Sequence, residues 1–234
     1  MTRYSIWNEP NHASWLQPQS RAPRLYRALY EAGYRAVKHV DKDTEVLIGE
    51  TAPYRIRGRA IAPLAFIRGV TCVDARYRRH GCGPLRADGF AHHPYDFRHA
   101  PRYRYPGADN VTVGTLGRLV RALARLRSAR ALLARDGAAP PIYLTEYGYF
   151  SSGRQRVSAS RQASYLKQAF TIAQRNPRVR QMLQYLLVTP PRKYRFFDTS
   201  LIRRDGLATK PYAALRSWAA VAARDGRITT PRAP

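Results

Sequence analysis

The amino-acid sequence predicts an α/β fold in which helices cover a parallel sheet. Short apolar segments recur along the chain, and a segment with apolar residues at helical spacing follows each of them. Strands with an uninterrupted apolar sequence are typical of parallel sheets, because both faces of such sheets are buried. The 234 residues contain no linker or second zone of composition, and they suit one large domain or two small ones.

The first half of the chain is predicted to supply three strands and two helices. Pro23 shortly after Ser20 is typical of a helix start, and Leu25, Leu29 and Val37 lie at helical spacing beyond it. In chain order the predicted elements are a strand at 4–7, a helix at 20–40, a strand at 46–48, a helix at 60–70 and a strand at 89–93.

The second half repeats the alternation. Leucines from Leu116 to Leu133 predict a long helix whose opposite face carries arginines. The elements predicted after this helix are a strand at 142–145, a helix at 159–174, a strand at 182–188 and a helix at 211–223. We therefore expect one domain over residues 1–223, followed by a loose tail at 224–234.

The charge is strongly positive, with 41 Lys and Arg against 15 Asp and Glu, a formal net charge of +26. Such a surface attracts polyanions, and this attraction weakens with salt. The basic residues are nevertheless scattered from Arg3 to Arg232 without a nucleic-acid-binding motif, so we expect no specific nucleic-acid partner. No apolar run is long enough to span a membrane, and no membrane partner is expected. A non-enzymatic polyanion-binding protein remains the alternative interpretation.

Two cysteines, Cys72 and Cys82, enclose a short arginine-rich segment. They are interpreted either as buried thiols of a cytosolic protein or as a loop-closing disulfide, which would suit an exported protein. Two cysteines without histidine-rich surroundings do not make a zinc site, and no metal is expected.

Three of the few carboxylates stand at the end of apolar or aromatic segments, namely Glu9, Glu50 and Glu146. Burying a carboxylate costs free energy unless it is paired or used. Glu9 and Glu146 each follow a predicted parallel strand, where α/β barrels place catalytic groups. Cleavage of a glycosidic bond needs two carboxyl groups that flank it, and nearby aromatic residues such as Trp7 and Trp15 suit the faces of sugar rings.

Four motifs resemble those of the clan A glycoside hydrolases, the retaining (β/α)8-barrel glycosidases that include cellulase- and xylosidase-like families. The segment 6–11, Ile-Trp-Asn-Glu-Pro-Asn, is similar to their acid/base motif on strand four. The segment 143–148, Tyr-Leu-Thr-Glu-Tyr-Gly, is similar to their nucleophile motif on strand seven. His93-Pro94-Tyr95 resembles their strand-six segment, and 205–211 resembles the turn before their last helix.

The resemblance implies a role for each matching residue. Glu9 would be the general acid and then the general base, and Glu146 the nucleophile. Asn8 would hydrogen-bond the sugar 2-hydroxyl, and Tyr95 would hold Glu146 and keep it ionised. His93 would line the pocket, with a satisfied core histidine as the alternative. The implied reaction is hydrolysis of an O-glycosidic bond in a β-linked glycan or glycoside by double displacement, without a cofactor.

Further candidate sugar contacts carry alternatives that the sequence leaves open. Glu50 is either a sugar contact or a loop group behind the site, and Trp15 is either a platform or a packing residue. Tyr185 is either a core residue or the substitute for a tryptophan that the family has near the end of its last strand. Tyr147 adjoins the predicted nucleophile and is expected to contact substrate.

The resemblance places only five of eight βα units, strands four to eight, in this chain. Glu9 and Glu146 are 137 positions apart and enclose three units, so eight such units would need roughly 365 residues. The sequence therefore predicts a partial (β/α)8 barrel that lacks its N-terminal units.

We expect a fragment of a longer enzyme, with a short product completed by self-association and an inactive remnant as alternatives. The expected partners are a carbohydrate substrate and either the missing N-terminal barrel segment or a second copy. The expected location is extracellular, although no export signal follows Met1.

Overall fold

A computed structural model describes residues 2–229, which form a parallel sheet with helices packed against it. Seven strands are present in these residues, in chain order β1 (Arg3–Ser5), β2 (Glu45–Thr51), β3 (Leu85–Arg86), β4 (Gly89–His92), β5 (Leu132–Leu133), β6 (Ile142–Leu144) and β7 (Val179–Met182). Five of them form one parallel sheet in the order β1-β2-β4-β6-β7. The strands β3 and β5 pair separately. The predicted parallel α/β fold is confirmed.

Five helices alternate with the strands of the main sheet. They are α1 (Ala22–Val40), α2 (Pro63–Val70), α3 (Leu116–Ser128), α4 (Ala159–Gln174) and α5 (Lys210–Arg224). Across residues 2–229, no helix combines the length and the apolar character that a membrane crossing requires. Of the predicted tail, Arg224 belongs to α5, and residues 230–234 lie outside the described part of the chain.

The predicted fifth strand is present, but its bounds of 182–188 are wrong, because β7 spans Val179–Met182. Beyond this point the chain runs beside the segment that follows β6. The amide of Leu183 donates to the carbonyl of Leu144, and the amide of Tyr185 donates to the carbonyl of Tyr147. These two bonds do not continue as a ladder, so the apolar run forms an irregular loop. The long helix predicted to reach Leu133 likewise ends early, and β5 follows it.

The main core lies between the sheet and helices α1, α2 and α3. Tyr26, Phe66, Phe90 and Leu119 are among its fully buried side chains. A second core lies beneath α4 and contains Tyr95, Tyr147, Tyr149 and Leu166. Burial of apolar surface at about 25 cal/mol per Å² is the main favourable contribution of both cores to folding.

Side chains of four strands form a polar layer, consisting of Arg3, Glu45, Tyr143 and Gln181. The Arg3 Nε atom donates to Glu45 at 2.6 Å, and its guanidinium lies 4.3 Å from the centre of the Tyr143 ring. Arg3 Nη1 also donates to Gln181 at 3.2 Å. Side chains of the first and the last strand therefore touch, so the sheet curves. The sheet nevertheless stays open, since β1 and β7 each pair with one strand only among residues 2–229.

A disulfide joins Cys72 to Cys82, just after α2. The bond closes a loop between residues separated by 10 positions, and it limits the conformations of the unfolded chain. We expect the double replacement Cys72→Ser, Cys82→Ser to lower the free energy of unfolding by about 2–3 kcal/mol. Urea unfolding followed by circular dichroism measures this loss. Reduction of the parent protein should have a similar effect, and an unchanged midpoint in both experiments would contradict the prediction.

Candidate active site

The predicted catalytic residues lie together at the carboxyl ends of the strands. Glu9 follows β1, Glu50 belongs to the end of β2, His93 and Tyr95 follow β4, and Glu146 follows β6. Because the strands are parallel, their carboxyl ends share one edge of the sheet, where α/β folds bind ligands. Four of the five strands thus supply a group to one site.

The backbone around the site is unusual. Trp7, Glu9 and Glu50 have φ values of 70°, 38° and 45°, a left-handed conformation that costs free energy for residues other than glycine. The register of β2 against β4 shifts between Gly49 and Thr51, and such bulges redirect side chains next to active sites. A Cβ at Gly49 would lie 2.5 Å from the carbonyl oxygen of Ala91, so glycine is required at this bulge.

His93 lies at the centre of three carboxylates. Its Nδ1 is 3.0 Å from Glu9 Oε1, and its Nε2 is 2.7 Å from Glu50 Oε2. The same Nδ1 is 3.6 Å from Glu146 Oε2. The His93 side chain is buried, whereas 19% of the Glu9 side chain and 25% of the Glu146 side chain are exposed. His93 therefore lies beneath the two glutamates and does not line an open pocket, which corrects its predicted position.

The shared contact limits the separation of the two predicted catalytic carboxylates. Since Glu9 Oε1 and Glu146 Oε2 lie 3.0 Å and 3.6 Å from one nitrogen atom, these two oxygens are at most 6.6 Å apart. The two carboxylates are therefore close enough to act on the same bond.

The groups around His93 change one another's proton affinity. Burial alone would lower the pKa of His93, but hydrogen bonds with Glu50 and Glu9 and the charge of Glu146 raise this pKa to about 10. Burial would raise the pKa of Glu50, and its hydrogen bond and attraction to His93 outweigh that effect, so the Glu50 pKa is lowered. His93 is therefore a cation at neutral pH, and Glu50 is its buried counterion.

Glu146 is held by the aromatic side chain that the motif predicted. The Tyr95 hydroxyl donates to Glu146 Oε2 at 3.1 Å, and the Tyr95 ring stacks on Phe97 with centroids 4.7 Å apart. Burial nevertheless raises the pKa of Glu146, with the charges of Glu9 and Glu50 acting in the same direction and His93 and Tyr95 opposing them. The contribution of Tyr95 thus favours the ionised form without determining the direction of the whole shift.

Two positioning groups were not predicted from the sequence. The buried Asn11 side chain donates to the carbonyls of Ala52 and Ile61 and accepts from the Ala52 amide, which ties the Glu9 loop to the loop after β2. Thr145 Oγ1 donates to Glu50 at 2.5 Å. The motifs containing both residues were recognised, but bonds across 41 to 95 positions leave no local pattern.

The predicted sugar contacts divide into accessible and buried residues. Asn8 is partly accessible, and Trp15 and Tyr185 are exposed. Tyr147 is fully buried, and its hydroxyl donates to Tyr149, so its predicted contact with substrate is wrong. Glu50 is also buried and faces His93, which places it behind the site.

Two cavities lie away from these residues. One, of about 520 Å³, is lined by Glu45, Asp88 and Arg178 near the amino ends of the strands. The other, of about 590 Å³, is lined by Arg55, Ile61 and Asn110 among the loops. The paired carboxylates are partly exposed and line neither of these two cavities. Within the part of the chain that the structure describes, no cluster of histidine, cysteine and carboxylate side chains is arranged to hold a metal ion.

Comparison with known proteins gives matches by structure only. No family model matches the sequence, and no curated protein sequence matches it. A family 39 glycoside hydrolase from the gut symbiont Bacteroides cellulosilyticus WH2 is 21% identical with a TM-score of 0.63, over 92% of this chain and 40% of that chain. Xylanase 10B from Thermotoga petrophila RKU-1 is 16% identical with a TM-score of 0.50, over 93% of this chain and 59% of that chain.

An exo-β-1,4-mannosidase from Opitutaceae bacterium strain TAV5 is 14% identical with a TM-score of 0.51, over 97% of this chain and 37% of that chain. These similarities show that the chain shares part of the α/β barrel fold of these three structures. The chain spans less than two thirds of the length of each of these three structures.

Proposed function

We propose that this chain carries the catalytic carboxylates of a retaining glycoside hydrolase that acts on β-linked glycans or glycosides. The observation that carries the proposal is the pairing of Glu9 with Glu146 across a shared histidine. The two carboxylates stand at the strand ends where glycosidases of this fold act, and both reach solvent.

The separation of the two glutamates is compatible with retention of configuration. Retaining glycosidases hold their carboxyl groups about 5–5.5 Å apart, and inverting ones about 6.5–9.5 Å apart to admit a water molecule. The limit of 6.6 Å applies to one oxygen of each carboxylate and is compatible with the first range. Retention itself is proposed from the resemblance of the two glutamate motifs to those of retaining enzymes.

The proposed reaction has two displacements. Glu146 attacks the anomeric carbon while Glu9 donates a proton to the departing glycosidic oxygen, and the sugar becomes esterified to Glu146. Glu9, now a carboxylate, removes a proton from a water molecule that attacks the same carbon, and Glu146 is released unchanged. Asn8 would bind the sugar 2-hydroxyl, and Trp15 and Tyr185 would contact the sugar faces.

Trapping of the glycosyl intermediate tests the proposal. Folded protein is incubated with 2-deoxy-2-fluoro-β-glycosides that carry an activated leaving group, in the gluco, xylo, galacto and manno series. We expect a mass increase of one fluorosugar, located on Glu146 by peptide mapping. The variant Glu45→Gln should label normally and Glu146→Gln should not. Labelling on another residue, or none by any sugar of the panel, would overturn the proposal.

We also propose that the open sheet is completed by another polypeptide segment, either further barrel units of a longer enzyme or a second copy of this chain. The unpaired edges of β1 and β7 support this, because an exposed strand edge promotes pairing with another chain. The purified chain is expected to elute as oligomers or aggregates in size-exclusion chromatography with light scattering. A monodisperse monomer that unfolds cooperatively near about 60 °C would contradict this expectation.

The Cys72–Cys82 bond supports an extracellular location for the whole protein.

The net charge of +26 favours polyanion binding as the second candidate function. This function predicts salt-sensitive binding of heparin or nucleic acid that is the same in the parent protein and in Glu146→Gln. Binding that is absent at low salt would exclude it.

A further inference from the structure

Glu50 occupies a position that neither the proposed acid nor the proposed nucleophile explains. Its side chain is buried at the bulge of β2, with a left-handed backbone. Its partners are His93 Nε2 at 2.7 Å, Thr145 Oγ1 at 2.5 Å and the side chain of Ser5. Burial of a carboxylate costs free energy unless the group is paired. The contacts of Glu50 offset this cost and hold a negative charge behind the site.

Both ring nitrogens of His93 face carboxylate oxygens, Glu50 at Nε2 and Glu9 at Nδ1. A neutral imidazole has only one N–H group and can satisfy only one carboxylate. The second contact therefore needs another proton, located either on His93 Nδ1 or on Glu9 Oε1. Because Glu50 accepts from Nε2, the shared proton always lies on the line between His93 and Glu9.

We propose that Glu50 is a positioning residue, which fixes the ring of His93 and keeps a proton between His93 Nδ1 and the general acid Glu9. This inference rests on the proposed glycosidase function for the role of Glu9, but the proton arrangement itself does not depend on it. In the resting site this proton lies on Nδ1, and it passes through Glu9 to the departing oxygen. Glu9 is then a carboxylate, and His93 is neutral with its remaining N–H on Glu50. The proton that Glu9 then takes from water restores the starting state.

The surroundings of His93 on every adjoining strand agree with this arrangement. Glu9 faces it from the end of β1, Glu50 from β2 and Glu146 from the end of β6. Tyr95 lies with its ring 6.3 Å from the His93 ring, and the neighbouring His92 is neutral because burial lowers its pKa to about 3. One imidazolium thus lies among three carboxylates, and it offsets the repulsion that would otherwise separate Glu9 from Glu146.

Nitrogen-15 NMR of the histidine side chains tests the proposal without any substrate. The full chain has six histidines, and loss of one signal set in His93→Gln assigns His93. In the parent protein we expect both His93 ring nitrogens to carry protons at pH 8. In Glu50→Gln we expect the His93 ring to lose its second proton at a pH lower by about one unit or more, which is at least a tenfold increase in its acid dissociation constant. The matched control Glu45→Gln removes the same charge from the other end of β2 and should leave His93 unchanged.

The pH dependence of stability gives a second readout. A pKa of His93 near 10 in the folded chain and about 6.5 when unfolded contributes stability that is complete below about pH 6.5. This contribution is lost as the pH rises toward 10. Each pH unit then lowers the folding equilibrium constant by at most about tenfold. The decline between pH 7 and 10 should be smaller in Glu50→Gln than in the parent and in Glu45→Gln.

Either of two results would overturn the inference: a neutral His93 ring in the parent at pH 8, or unchanged His93 titration in Glu50→Gln. The first is decisive even where Glu50→Gln does not fold. Failure of fluorosugar labelling with a normal NMR result would instead refute the glycosidase function alone. In active protein, Glu50→Gln should shift the pH profile of kcat, and Glu45→Gln should leave it unchanged.

Discussion

Replacement of Glu146 by glutamine is expected, under the proposed function, to lower kcat for β-glycosides by more than about 10³-fold, because removal of the proposed nucleophile removes the covalent path. The amide is nearly the same size as the carboxylate and can still accept the hydrogen bond from the Tyr95 hydroxyl, so the fold should survive. Release of an aryl group from chromogenic glycosides measures the loss.

Glu9→Gln provides the informative comparison. Loss of a general acid costs about 10²–10⁴-fold for substrates with poor leaving groups, and much less where the leaving group departs without a proton. Glu146→Gln should be equally inactive on both kinds of substrate. If Glu146→Gln kept a tenth of the parent activity while Glu9→Gln lost it, the two roles would have to be exchanged.

Phe66→Ala is expected to have the largest effect on stability, lowering the free energy of unfolding by about 3–5 kcal/mol. Phe66 is fully buried in α2 and packs on Tyr26 with ring centroids 5.7 Å apart, so truncation leaves a cavity in the main core. Phe196→Ala is the matched control, because the same side chain is 82% exposed there and its loss should change stability by less than about 0.5 kcal/mol. Urea unfolding of both variants checks the prediction, and equal losses would show that the main core is not the centre of stability.

Periodicity predicted the elements that are both long and amphipathic. The predicted bounds of α4 match the observed helix Ala159–Gln174, whose Ser158 side chain accepts from the Arg161 amide. The strands β3 and β5 have two residues each and are too short to show a period. The segment 183–188 is apolar for a different reason, since it lies beside the site and Leu187 and Val188 are exposed; composition alone cannot distinguish it from a strand.

The sequence predicts the candidate site where carboxylates follow apolar segments, because burial of an unpaired carboxylate costs free energy. Glu9 and Glu146 stood out because they end apolar runs, and the structure brings both to His93. Tyr147 was misassigned because successive side chains in an extended segment point to opposite sides. When Glu146 faces the site, its neighbour faces the second core. The role of Glu50 depends on a bulge, which changes the direction of one side chain and has no signature in the sequence.

The polar layer of Arg3, Glu45, Tyr143 and Gln181 has a consequence for how the open sheet meets water. Within this layer the guanidinium, carboxylate, hydroxyl and amide groups are hydrogen-bonded to one another. This part of the sheet therefore presents polar side chains, not apolar ones, to water. The segment after β7 differs, because Leu183, Leu187 and Val188 are exposed there. This exposed apolar segment should therefore add to the association that the unpaired edges of β1 and β7 promote, and hydrophilic substitutions at Leu187 and Val188 should reduce aggregation.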